Sequence, residues 1–260
     1  MSVAQSPPPA PAPPEANGHA PGDREMTMLE HLQELRQRLV IAVLAVVAGI
    51  GIAWVPIPGR DSIIHFVVSR VIDEATPYGV KIIALKPGEA FFTYLEVSLL
   101  IGAALAMPVI VYQLLAFITP ALYPNEKRYL YIAVPGVTVS FAVGVVFCYL
   151  LMLPFAIRFL AGFGSDTIAP EWSASYYLGF VTSFMFWVGL MFELPIVMYF
   201  LTKLNIVSAR RLASFRRYAF VGAFVIGAII TPTPDPVNQT IISLPIYFLF
   251  ELGIILARFA

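Results

Sequence analysis

An all-α polytopic membrane protein, six transmembrane helices in a curved bundle with the last two of them short, is the fold this sequence predicts. Three observations carry the prediction. Of 260 residues, 59% are apolar before glycine is counted, well above the share in soluble domains. Only 12% are Asp, Glu, Lys or Arg, half the usual share. Those charges are crowded between runs of 15 or more uncharged residues, and an apolar helix of about 20 residues crosses a hydrocarbon core. The 16 basic and 16 acidic residues cancel, so no electrostatic footprint points to nucleic acid. The single cysteine, Cys148, excludes an internal disulfide and a multi-cysteine metal site. In its apolar run it reads as a small packing residue.

Residues 1–24 hold seven prolines among Ala, Gly and Ser and read as a disordered cytoplasmic tail. Residues 25–260 read as one six-helix transmembrane domain. The tail lacks the basic-then-apolar layout of a secretory signal, so the first hydrophobic helix is expected to stay in the mature protein. Charge-poor segments near 39–55, 91–117, 129–153, 176–201, 218–231 and 237–256 supply the helices. The third and fourth are long enough to cross at a tilt. The fifth and sixth are split by Thr231-Pro232-Thr233-Pro234-Asp235-Pro236, which cannot be helix interior. They form a hairpin whose members, at about 14 to 17 residues, reach roughly 21 to 25 Å and fall short of the bilayer core. Pro108, Pro135, Pro195 and Pro245 lie inside four of the helices, where each removes a backbone hydrogen bond and favours a bend.

Orientation follows from the Lys and Arg count, because cytoplasmic loops retain the excess. One side collects eleven: Arg24, Arg36 and Arg38, then Lys127 and Arg128, then Lys203, Arg210, Arg211, Arg216 and Arg217, then Arg258. The other has five, Arg60, Arg70, Lys81, Lys86 and Arg158, in longer segments. Both termini are therefore expected on the cytoplasmic side. Trp54 and Trp172 fall at outer helix ends, where indole prefers the headgroup region.

No Walker loop, HExxH or nucleophile elbow is present. His19, His31 and His65 fall in the tail, at the entry to the first helix and in the outer loop. The segment from Glu30 to Leu39 puts Leu32, Leu35 and Leu39 on one helical face. It reads as an amphipathic helix along the cytoplasmic surface, or as a scaffold presenting Glu34 to a cationic ligand. Glu126, in a short proline-stiffened loop, is either neutralised by Lys127 and Arg128 or a second carboxylate for that ligand. Glu193 stands apart. Ten residues before Lys203, it lies about 15 Å deep, where a carboxylate costs at least about 2.5 kcal/mol unless protonated, solvated or paired. A functional role is the better reading there. Gln239, with Thr231 across the turn, can hydrogen-bond helices inside the bundle or a visiting one. A proton-coupled small-solute carrier using Glu193 is the rival class. Neither internal repeats nor helices broken at matching positions support it.

These residues resemble the TatC family, the multispanning core of the twin-arginine protein translocase. The resemblance runs through His31-Leu32-Gln33-Glu34-Leu35-Arg36-Gln37-Arg38-Leu39, Pro120-Ala121-Leu122-Tyr123 with Glu126-Lys127-Arg128, Phe192-Glu193-Leu194-Pro195, and Thr231-Pro232 through Asp235 and Gln239. It implies a non-enzymatic receptor without a cofactor, multi-pass in a bacterial-type inner membrane. Such a receptor binds signal peptides bearing consecutive arginines and moves folded proteins on the proton-motive force. The family's signal-peptide contacts fall on Glu34 and Glu126, with Phe117 and Arg36 in support. Its contacts to the single-span partners TatA and TatB fall on Glu193, Gln239 and Thr231. Self-association and membrane lipid complete the implied partners, and no nucleic acid is among them.

Overall fold

The structure, a computed structural model, describes residues 28–56, 58, 61–118, 127–163, 167, 169–204, 206–230 and 235–260. The tail, Glu126 and Thr231 lie outside the described residues.

The first helix, α1 (Met28–Trp54), begins nearly two turns before Glu34 and runs unbroken for 27 residues. No Gly or Pro interrupts it before Gly49. The amphipathic segment is therefore the opening of the first span rather than a separate surface helix. Its leucines face outward, with Leu29, Leu32 and Leu39 all more than half exposed. The long connection that follows holds structure that the charge pattern left as a loop. Helix α2 (Ile63–Ala75) buries Ile64, Val68, Val71 and Ala75 on one face, the spacing of an amphipathic helix. The Tyr177 hydroxyl donates to the Val71 carbonyl at 2.7 Å and pins it. A strand, β1 (Lys81–Ile83), leads into α3 (Glu89–Ile118).

The third span is composite. Helix α4 (Lys127–Phe147) passes through a π-helical turn, Cys148–Met152, into α5 (Leu153–Gly162). Pro154 explains the turn: it has no N–H to continue the i→i−4 ladder, and a wider turn absorbs the gap. Cys148 is fully buried there as a packing residue. A second strand, β2 (Glu171–Ser173), pairs in parallel with β1, and α6 (Ala174–Met191) follows. The fourth span breaks at Phe192 and Glu193 and resumes as α7 (Leu194–Lys203). Of the four prolines expected to bend helices, Pro195 alone coincides with a break; Pro108, Pro135 and Pro245 sit inside continuous helix.

A short helix, α8 (Ala209–Ser214), precedes α9 (Arg216–Ile230) and α10 (Pro236–Ala257). Among the described residues, five stretches are long and apolar enough to cross a membrane: Leu29–Trp54, Glu89–Phe117, Ala133–Gly162, Ala174–Lys203 and Pro236–Ala257. With 15 residues, α9 is the short one. The expectation of two short helices holds for α9 and not for α10, which has 22 residues. The difference lies at its start. Asp235 caps α10, its carboxylate accepting the Asn238 N–H at 2.7 Å, and Pro236 occupies the first helical turn, so the helix begins as soon as the loop ends.

Small residues close the bundle, as packing in lipid favours. On α1 and α3, a Cβ added to Gly49 would stand 2.5 Å from the Gly102 carbonyl oxygen. A Cβ on Gly144 of α4 would lie 2.9 Å from Gly189 Cα on α6. The main core gathers Val71 of α2, Val97 of α3, Leu153 and Ile157 of α5, Phe184 of α6 and Ile242 of α10.

Candidate functional site

At the end of the bundle where α1 begins and α3 finishes, His31 stacks on Phe117, ring centroids 4.3 Å apart and planes 17° apart. One turn along α1 is Glu34. Its Oε1 accepts Arg38 Nε at 2.9 Å and also Arg38 Nη2, an i,i+4 pair with both side chains only partly exposed. Arg38 Nη1 reaches across to Gln113 Oε1 on α3 at 3.4 Å. Glu34 Oε2 is buried and has no hydrogen-bond partner among the described residues. Glu34 and Phe117 are thus brought to one corner through His31, Arg38 and Gln113. Arg36 is exposed, and two residues from Glu34 it points elsewhere on the helix. The arginine that meets Glu34 is Arg38. Its spacing, an acid four residues N-terminal to a base, is the signal that finds it. Glu126 lies outside the described residues.

Glu193 sits at the break between α6 and α7, 6% exposed. Pro195 cannot donate to Met191, and the opened turn lets the Phe192 carbonyl accept the Ser140 hydroxyl of α4 at 2.7 Å. The main chain of Glu193 is satisfied, its N–H donating to Leu190 at 3.1 Å and its carbonyl accepting from Val197 at 2.9 Å. The side chain is not: neither oxygen has a hydrogen-bond partner among the described residues.

Gln239 lies in the second turn of α10, and its Nε2 donates to the Phe224 carbonyl of α9 at 2.9 Å. It therefore holds the last two helices together. Gly253, 14 residues on, packs against Pro195 and Met198 of α7. Gln239 and Glu193 accordingly stand about 20 Å apart along α10. The structure does not bring them into one pocket, and any helix meeting both must run alongside α10. Thr231 lies outside the described residues.

Two other carboxylates, Glu251 and Glu89, have donors of their own. Glu251 receives Arg216 Nε and the Tyr247 hydroxyl, each at 2.9 Å. Glu89, unremarked by its sequence context, is the most fully engaged acid in the described residues. It accepts the Leu85 N–H at 2.6 Å, the Lys86 and Ser175 N–H groups at 3.0 Å each, and the Ser173 hydroxyl. Ser173, the N-cap residue of α6, makes no cap bond of its own. A carboxylate from the start of α3 caps α6 in its place, which suits the positive end of that helix.

Comparison with known proteins places this geometry. The model of the family described as "Sec-independent protein translocase protein (TatC)" matches residues 30–245. The TatC translocase protein of Carboxydothermus hydrogenoformans is 34% identical over 237 residues, 91% of this chain and 95% of that protein. The TatC of Aquifex aeolicus is 38% identical over 237 residues, 90% of this chain and 96% of that protein. A crystal structure of the twin-arginine translocase receptor TatC superposes with a TM-score of 0.78 at 38% identity, covering 88% of this chain and 99% of the other.

Proposed function

The chain belongs to the TatC family of Sec-independent protein translocase proteins, and from that premise we propose that it is the signal-peptide receptor of a twin-arginine export system. It is a multi-pass membrane component of protein translocation. The peptide's consecutive arginines bind at the cytoplasmic face, on Glu34 and Glu126, with Phe117 at the same corner as Glu34 and Arg36 in support from the neighbouring face of α1. The observation that carries this is the corner at Glu34, where a carboxylate already accepts a guanidinium. A carboxylate can accept two parallel N–H bonds from a guanidinium, whereas an ammonium offers a point charge. Glu193, Gln239 and Thr231 engage the single-span partners TatA and TatB, since a polar side chain inside lipid seeks a donor or acceptor on another helix. Transport itself is driven by the proton-motive force. The protein acts as receptor and assembly platform in a bacterial-type inner membrane, with both termini cytoplasmic and residues 1–24 as a disordered tail, and it catalyses no covalent reaction. The relatives are protein translocases, so the solute-carrier reading of Glu193 is set aside.

The test is photocrosslinking of a twin-arginine signal peptide to the receptor in native membranes. Glu34→Gln with Glu126→Gln is expected to abolish the adduct at unchanged receptor level. An undiminished adduct in the double variant contradicts the assignment.

A further inference from the structure

We infer that Arg38 is a resident stand-in for the ligand's arginine, a guanidinium that keeps Glu34 closed until another guanidinium takes its place, and so a determinant of arginine-over-lysine specificity. The inference rests on Glu34 being the signal-peptide acceptor.

Both oxygens of Glu34 are shut in the free chain, for different reasons. Oε1 holds Arg38 through two of its nitrogens. Oε2 is buried without a partner among the described residues. A ligand cation that takes the place at Oε1 must therefore displace Arg38. The closed arrangement is nonetheless easy to open. An intrahelical acid–base pair with side chains 24% and 19% exposed is held by little more than its local geometry. It also leaves a buried acceptor unsatisfied, which is a standing cost. Departure is prepared too, because Arg38 Nη1 already touches the Gln113 amide oxygen on α3 at 3.4 Å. Once released from Glu34, the side chain has a neutral acceptor to settle on.

The exchange explains discrimination better than an open carboxylate does. Against water, arginine and lysine both gain from meeting an acid. Against a resident guanidinium, an incoming arginine replaces the lost donors one for one and adds a bond to Oε2 by binding side-on. An incoming lysine has donors enough, but they radiate from one nitrogen and cannot lie in parallel along both carboxylate oxygens as a guanidinium's do. The stand-in therefore raises the threshold for both ligands and raises it more for lysine.

The experiment uses the full chain in lipid nanodiscs and two synthetic signal peptides that differ only in Arg-Arg or Lys-Lys, with Kd read by fluorescence anisotropy. Arg38→Gln is expected to tighten Arg-Arg binding by about two- to fivefold, the range of a partly exposed i,i+4 pair. Lys-Lys binding is expected to tighten more, so the ratio of the two affinities shrinks. Gln113→Glu keeps Arg38 but offers it a competing carboxylate, and is expected to move both affinities in the same direction. This second variant covers the case in which Arg38→Gln folds poorly. Weaker Arg-Arg binding in either variant, or an unchanged ratio in Arg38→Gln, overturns the inference. Glu34→Gln separates the two layers. Unchanged binding in Glu34→Gln removes the acceptor assignment itself, whereas lost binding there with weaker binding in Arg38→Gln leaves the acceptor standing and removes the stand-in.

Discussion

Glu89 and Glu193 are buried to nearly the same degree, 9% and 6% exposed, yet their surroundings are opposite. Glu89 accepts four donors and ties the start of α3 to the start of α6 beside the β1–β2 pair. Glu193 lies at the break in a transmembrane span, and neither of its carboxylate oxygens has a hydrogen-bond partner among the described residues. Burial is thus a poor guide to what an acid does in this molecule. The count of donors sorts them: a carboxylate whose lone pairs are filled from its own chain is structural, and one left empty where desolvation is costly is the one the proposed partner contact would use.

The largest expected effect comes from filling the empty site with nothing. Glu193→Leu removes an unpartnered buried acid, so thermal stability is expected to hold or rise, while partner association falls about three- to thirtyfold, the equivalent of one interhelical hydrogen bond in lipid. A melting curve and a partner pull-down on the same membranes give both numbers. A large loss of stability would mean that Glu193 belongs with Glu89. The converse change, Glu89→Gln, is expected to lower Tm by several degrees, because an amide cannot accept all four donors, and to reduce export only in proportion to folded protein. Export lost at full stability would show that the Glu89 contacts have a direct role. Next comes Gln239→Leu, which frees the Phe224 carbonyl and is expected to cost about 0.6 to 2 kcal/mol by loosening α9 from α10. Thermal shift measures it, and no change would mean that the bond at 2.9 Å carries no weight. Smallest is Arg216→Gln, whose partner Glu251 keeps the Tyr247 hydroxyl. A partly exposed pair of this kind is worth about 0.2 to 1 kcal/mol, and a greater loss would place Glu251 among the structural acids.

The spans were legible because solvent writes them directly: an uncharged window of sufficient length has no other stable home, and the four long ones before α9 follow from that alone. Glu193 was legible for the same reason, its depth fixed by counting from Lys203. The remainder depended on partners distant in sequence. Glu89 acquires its role from Ser173 and Ser175, more than eighty residues away, and three-residue strands such as β1 and β2 carry no period to read. Helix α2 was written in the spacing of Ile64, Val68, Val71 and Ala75, but the charges between them made the segment look like a plain loop. The π-helical turn before Pro154 reflects a choice between kinking and widening that neighbouring helices decide. At Glu34 the sequence offered two arginines, and helical geometry selects Arg38 over Arg36.

The central claim, that the empty carboxyl at the α6–α7 break is reserved for another helix, is tested most directly by a photoreactive residue at Val197, one turn beyond Glu193 and 45% exposed. Irradiated in native membranes, it is expected to label a single-span protein, and the adduct is expected to vanish when Glu193→Gln is added. Labelling confined to lipid, or an adduct indifferent to that substitution, would contradict the account.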